Sequence, residues 1–337
     1  MKITLKDIAK EAGVSVSMVS YVLNKSGKPT LESHKRILEI ARAHNYVPDA
    51  NARGLVTGVT HNIGLIVPQK SEIFAQPFMV KCLQEFSRTL SENAGWLSLC
   101  LGSDLSPATM RRYLANVRVD GIILLYAEDT ADLAEMLSAR RTPFIFFDRA
   151  NNRGQGSCIA ADDRAGMGML FDHLHGLGHR DMLFLSGLEG PREGARDRRL
   201  AAWQEKTAQA GLPQPMVLYG GYTKHGGYLA LRDHLDRGGP LPGAIAAGND
   251  RMAWGALKLL TERGIRVPED VSVTGFDDAD EEFNEDIGLT TARQPIAEMA
   301  RFCVQHLYER GADGSMEPVN TRLMPELIIR KTTATPR

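Results

Sequence analysis

The chain has 337 residues, 43% of them hydrophobic and 24% charged, with a formal net charge of −1. These values exclude global disorder and allow two or three domains with a substantial core. Cys82, Cys100, Cys158 and Cys303 are far apart and form no CxxC, which argues against a disulfide framework or a zinc site and fits a reducing compartment. The amino-terminal MKITLKDIAK is charged throughout. No stretch approaches the ~20 apolar residues of a membrane span, so a soluble, cytoplasmic protein with no membrane partner is expected.

The near-neutral total hides an asymmetry. Residues 1–60 carry nine Lys/Arg against five Asp/Glu, a net +4, which leaves −5 on the remainder. A basic end on an acidic body suits a polyanion bound by one end only. Thr4, with Asp7 three residues on, has the form of a capping box. Ile8, Ala9 and Ala12 then line the inner face of a first helix. Gly13 supplies a turn other residues avoid, and Ser15 is a natural N-cap for a second helix striped by Val19, Val22 and Leu23. Thr30 opens a third helix with Leu31, Ile37, Ile40 and Ala41 on one side. Two helical patterns across a Gly-Val-Ser turn are how a chain presents a helix to a DNA groove. Val16, Ser17 and Tyr21, at i, i+1 and i+5, share one surface of that second helix.

Asn45-Tyr46-Val47-Pro48 closes this first unit. Residues 49–56 could form one or two helical turns, too short to be stable alone. Gly54 weakens them by roughly 1 kcal/mol relative to Ala. From His61 the rhythm changes to short apolar runs, such as Ile63–Pro68, Gly121–Tyr126, Met182–Gly187 and Ala244–Gly248, separated by amphipathic stretches such as 77–93, 163–177, 193–210 and 250–263. Strand–helix alternation predicts parallel sheets with helices on both faces, and about ten strands in about 270 residues suggest two such sheets. Open parallel sheets bind ligands beyond the carboxyl ends of their strands. That rule singles out Asp148-Arg149, Asn249-Asp250 and Asp277-Asp278, with Asp250, which begins a helix, read as a cap. Carboxylate, guanidinium and amide groups there suit a ligand rich in hydroxyls. Phe74, Phe78, Tyr126 and Tyr222 are candidate aromatic faces for its CH-rich side.

Enzyme signatures are missing: no G-x-G-x-x-G follows the first strand, and no G-x-x-x-x-G-K-[ST], H-E-x-x-H or G-x-S-x-G occurs. No catalytic residue and no cofactor is therefore expected. His173, His175 and His179 do not read as a metal cluster, because residues two apart point to different helix faces and His179 follows Gly178 at a helix end.

Head and body together resemble the lac-repressor family of bacterial transcription regulators. The resemblance rests on TLKDIAKEAGVS, on the VSYVLN that ends the second helix, on NYVPDANARGL, and on GFDD at 275–278. DR at 148–149, HLHGLGHR at 173–180 and AGNDRMAWGAL at 247–257 support it. It implies an α/β chain with a small all-α helix-turn-helix head at 1–48 and a hinge helix and linker at 49–60. The body would have two lobes like those of periplasmic sugar-binding proteins, 61–161 plus 294–325 and 162–293 plus 326–337. It implies base readout by Val16, Ser17 and Tyr21, and further DNA contacts from Thr4, Ser15, Ser20, Asn24 and Arg53. Leu55 would pair with its copy in a second chain to wedge into the minor groove, so the resemblance implies a homodimer on a near-palindromic double-stranded operator. Effector contacts are implied at Arg199, Asn249 and Asp277, and at Asp148 and Arg149. The chain departs from the family pattern at Tyr21, often Arg, at Met18, often Thr, and at Ala202, usually Gly. The expected function is a repressor of carbohydrate-utilisation genes controlled by a mono- or disaccharide. The alternative is co-repression by a purine or a phosphorylated metabolite.

Overall fold

The computed structural model describes residues 3–23, 31–44, 46, 59–68, 73–102, 106–125, 131–148, 156–187, 189, 198–309 and 316–337. It divides into two units, Met1–Thr60 and His61–Arg337.

In the first unit, α1 (Leu5–Ala12), α2 (Val16–Leu23) and α3 (Leu31–Ala43) surround a core of Ile8, Ala9, Ala12, Val19, Val22, Ile37 and Ala41. Local chemistry sets the first turn. Thr4 Oγ1 accepts from the Asp7 amide at 3.4 Å, and the Thr4 amide donates to Asp7 Oδ2 at 2.9 Å, which completes the expected capping box. Gly13 ends α1 at φ 70°, and its amide donates to the Ala9 carbonyl. Ser15 Oγ then accepts from the Met18 amide at 3.2 Å, the cap expected for α2.

The second unit holds two parallel sheets. The first has order β11-β5-β4-β3-β1-β2 and the second β7-β6-β8-β9. Their strands are β1 (Asn62–Pro68), β2 (Trp96–Gly102), β3 (Gly121–Leu125), β4 (Phe144–Phe147), β5 (Ser157–Ala161), β6 (Met182–Ser186), β7 (Met216–Tyr219), β8 (Ala244–Ala247), β9 (Ser272–Thr274) and β11 (Asn320–Leu323). Helices cover both faces, so the central strands are apolar throughout rather than alternating with polar residues. In the first sheet Ile63, Leu65, Ile123 and Phe147 pack under the Pro77–Glu92 and Ile296–Tyr308 helices. Ile66, Ile122, Leu124 and Phe146 face Met110 of the Pro107–Asn116 helix and Leu133 and Leu137 of the Ala131–Ala139 helix. In the second sheet Leu185, Ile245 and Val273 meet the Asp250–Glu262 helix, and Met182, Phe184 and Ala246 meet Leu170, Phe171 and Trp203 of the Asp163–Gly176 and Arg198–Gln209 helices.

The chain passes between the two lobes three times: after Ala161, after Arg293 and after Leu323. A two-stranded antiparallel ribbon pairs β10 (Thr291–Arg293), which leads into the second passage, with β12 (Glu326–Ile328), which follows the third. Neither β10 nor β11 shows as an apolar run, because both are short and carry polar residues. Among the described residues no helix is long and apolar enough to cross a membrane.

Candidate functional site

On α2, Val19 and Val22 are buried, while Val16 and Tyr21 are 41% and 54% exposed and Ser17 is also exposed. An exposed valine and tyrosine flanking a serine on a short helix form a surface able to meet base edges by apolar contact and hydrogen bonding. Ser20 is half-buried, and Met18 packs partly against the head core. The Thr4 hydroxyl donates to Asp7 Oδ2 at 2.7 Å, so it is already engaged in the cap. Lys6, Lys10, Lys35, Arg36 and Arg42 are exposed and contribute positive charge to the head. Asn24, Arg53 and Leu55 lie outside the described residues.

In the body, strand ends bring several sequence-predicted groups together. Asp148 follows β4, Asn249 follows β8 and Asp277 follows β9. Arg199, in the first turn of the Arg198–Gln209 helix, reaches into this space. Its Nη1 donates to Asp277 Oδ1 at 3.0 Å and to the Gly248 carbonyl at 2.7 Å, and its Nε donates to Asp163 Oδ1 at 2.8 Å. The guanidinium stacks 3.8 Å over the Phe276 ring, which fixes its plane. Three residues absent from the sequence reading complete the group. Asp163 Oδ2 accepts from Arg198 Nε at 2.6 Å, so one buried carboxylate holds two arginines. Gln294 Nε2 donates to Asp277 Oδ1 at 2.7 Å. Asp163 lies just past the carboxyl end of β5 and Arg198 adjoins Arg199, so strand-end reasoning could have found both. Nothing local marks Gln294.

The electrostatics follow from burial. Burial pushes Asp148 up to about 6, with Asp163 and Asp277 adding to it and Arg198 and Arg199 opposing, and burial pushes Asp277 up to about 7, with Asp250 adding to it and Arg199 and Gln294 opposing. Burial also works against ionisation of Asp163, but Arg199 and Arg198 outweigh it and hold that carboxyl below its usual range. Arg199, although buried, is driven well above its ordinary value by Asp277 and Asp163. Asp148 Oδ1 and Gln294 Oε1 are buried with no hydrogen-bond partner. The backbone is strained where the strands end: Asp148, Tyr222, Asp277 and Asp278 have φ of 60°, 57°, 126° and 47°. Non-glycine residues enter that region at a cost, and such strain clusters at functional sites.

The remaining positions fall differently. Asn249 Oδ1 caps the Asp250–Glu262 helix through the Met252 amide at 3.0 Å, and its Nδ2 donates to the Tyr222 carbonyl at 3.3 Å, leaving a second N–H on the amide. Asp250, expected as the cap, is instead a buried anchor: Oδ2 accepts from the Asp278 amide at 2.7 Å and Oδ1 from Thr291 at 2.6 Å. Tyr222 packs against Gly187, where any Cβ would sit 2.0 Å from the ring. Phe74 is 50% exposed on the short turn Ile73–Ala75, whereas Phe78 is buried in the first-lobe core and offers no face to a ligand. Tyr126 and Arg149 lie outside the described residues. His173 bonds Thr333 at 2.9 Å, and His179 bonds Ser272 at 3.0 Å and the Ala334 carbonyl at 2.9 Å, so both tie the carboxy-terminal segment to the second lobe.

A helix-turn-helix unit followed by a two-lobed body with polar groups converging at its strand ends defines a DNA-binding transcription regulator. The comparisons agree and make the assignment specific. Residues 4–49 match bacterial regulatory proteins of the lacI family, and residues 171–333 match the periplasmic binding protein-like domain. The chain is 30% identical over 334 residues to the HTH-type transcriptional regulator CelR of Thermobifida fusca, covering 97% of each chain. It is 31% identical over 339 residues to the HTH-type transcriptional repressor PurR of Haemophilus influenzae, covering 97% of this chain and 98% of that protein. Among solved structures it resembles the lac repressor dimer bound to operator and the anti-inducer ONPF, with a TM-score of 0.85, 25% identity and coverage of 99% and 100%. It also resembles the complex of CelR with cellobiose, with a TM-score of 0.70, 29% identity and coverage of 98% and 99%. The chain belongs to the lacI family and is a DNA-binding transcription regulator, not an enzyme.

Proposed function

We propose that this chain is a homodimeric repressor, acting in the cytoplasm, that binds a near-palindromic operator and is controlled by a sugar held between the lobes of its body. The observation that carries the sugar reading is an excess of acceptors. Among the described residues, three carboxylates (Asp148, Asp163 and Asp277) face two guanidiniums (Arg198 and Arg199), and two buried oxygens lack donors. A buried acceptor without a donor costs about 1–3 kcal/mol, which hydroxyl donors of a neutral sugar would recover. A phosphorylated ligand would add negative charge to a site where, among the described residues, both guanidiniums are already paired with carboxylates. Asp148, Arg199, Asn249 and Asp277 are the proposed polar contacts, with Arg149 beside them, and Phe74, Tyr126 and Tyr222 the proposed aromatic ones. The CelR–cellobiose complex supports the same class of ligand.

On DNA, Val16, Ser17 and Tyr21 read bases, and Thr4, Ser15 and Ser20 lie towards phosphates. Asn24, Arg53 and Leu55 complete the contact, with Leu55 as the minor-groove wedge. The 31% identity to PurR favours a second reading, co-repression by a purine. A thermal-shift screen with cellobiose, ribose and purine bases separates the two, because a ligand that binds only the folded state raises its melting temperature. Stabilisation by a sugar is expected; stabilisation by purines alone would replace the first reading with the second.

A further inference from the structure

The two neighbouring arginines of the cleft do different work. Arg199 donates to groups of its own lobe: Asp163, the Gly248 carbonyl and Asp277. Arg198 faces the other lobe. Its Nε is anchored on Asp163 at 2.6 Å, and its Nη2 lies 3.8 Å from Asp148 Oδ1 at the end of β4 in the first lobe. That oxygen is buried and accepts no hydrogen bond, and Asp148 is held at φ 60°. A fixed donor therefore stands just short of an unsatisfied charged acceptor on the opposite side of the cleft.

We propose that Arg198 and Asp148 form a clamp between the lobes, with Asp163 as the positioning residue that aims Arg198. Closure by roughly 1 Å brings the guanidinium to charge-assisted hydrogen-bonding distance and locks the closed form. The clamp uses the cleft of the proposed function but does not depend on which ligand fills it. A second ion pair joins the lobes among the described residues, Lys81 to Glu281 at 3.2 Å; its side chains are 29% and 43% exposed, so solvent screens it and it serves as a control.

The test is an interlobe distance in the full-length protein. Spin labels go on Gln84→Cys in the first lobe and Lys258→Cys in the second, both exposed, in a Cys100→Ser background whose remaining cysteines are buried. Labelled chain is diluted with unlabelled chain and read by pulsed electron resonance, with and without cellobiose. Arg198→Gln and Asp148→Asn should each lower the short-distance population about threefold, and the double variant should lower it no further, because both remove the same interaction. Lys81→Ala should leave the distribution in place. Unchanged distributions in the single variants, or two effects that multiply independently, would overturn the clamp. The cellobiose-free measurement tests it even if no sugar in the thermal screen stabilises the protein, an outcome that would remove only the sugar reading.

Discussion

Asp277 and Asp278 are adjacent in the chain yet hold opposite sides of the second lobe together. Asp277 Oδ1 accepts from Arg199 at 3.0 Å and Gln294 at 2.7 Å, at the cleft. Asp278 accepts from Arg330 Nη1 at 3.0 Å, Arg293 Nε at 2.9 Å and Asn284 Nδ2 at 2.8 Å, at the base of the β10–β12 ribbon. Burial opposes ionisation of Asp278, but bonds from Arg330, Asn284 and Arg293 outweigh it and keep its carboxyl below the usual range. Adjacent carboxylates thus tie together the cleft, through Asp277, and the strand that leads into the other lobe, through Asp278 and Arg293.

The two aspartates should respond differently to removal. Asp278→Ala strands Arg330 and Arg293 beside a buried vacancy and should cost about 3–5 kcal/mol of stability, read as a lower midpoint in urea. Asp277→Ala should cost less, because Arg199 keeps Asp163 and the Gly248 carbonyl, yet it should abolish the thermal shift with the effector. Equal losses of stability would contradict this division.

Effector binding should strengthen as pH rises. Asp148 and Asp277 titrate near 6 and 7 in the folded protein, above an ordinary carboxyl at 3.8. The folded state therefore holds these protons more tightly than the unfolded chain, and its stability from these groups declines as pH climbs from about 4 through 7. A neutral ligand that donates hydroxyls prefers both groups ionised. Its affinity should rise by up to about tenfold per pH unit for each proton released between pH 5.5 and 7. Calorimetric titration in buffers of different ionisation enthalpy checks the sign, since proton release on binding is required.

Operator recognition should be separable from folding. Tyr21→Ala removes a half-exposed side chain from α2 and should change stability by under about 0.5 kcal/mol. It should relax base preference at one operator position by about 1–3 kcal/mol. Selection from randomised half-sites, alongside a melting curve, gives both numbers.

Leu55→Ala should weaken operator binding by a few kcal/mol at matched salt while leaving sugar binding intact. Affinity for the wild-type operator should also fall steeply with salt, linearly in a log–log plot. A flat salt series would be incompatible with a head that binds phosphates through Lys6, Lys10, Lys35 and Arg36.

The sequence by itself determined the helix-turn-helix head, the alternation of strands and helices, and the placing of Asp148, Asn249 and Asp277 just past strand ends. Each is written in residues close together: the Thr4–Asp7 cap, the Gly13 turn, the apolar runs followed at once by polar residues. Only the tertiary structure decided that β11 joins β5 across more than a hundred residues of chain, that Gln294 backs Asp277, that Asn249 caps a helix, and that Arg198 stands 3.8 Å from Asp148 across the cleft. Those pairings are set by three passages between the lobes and by the competition of neighbouring charges for the same buried carboxylates, and neither leaves a periodic trace in the chain.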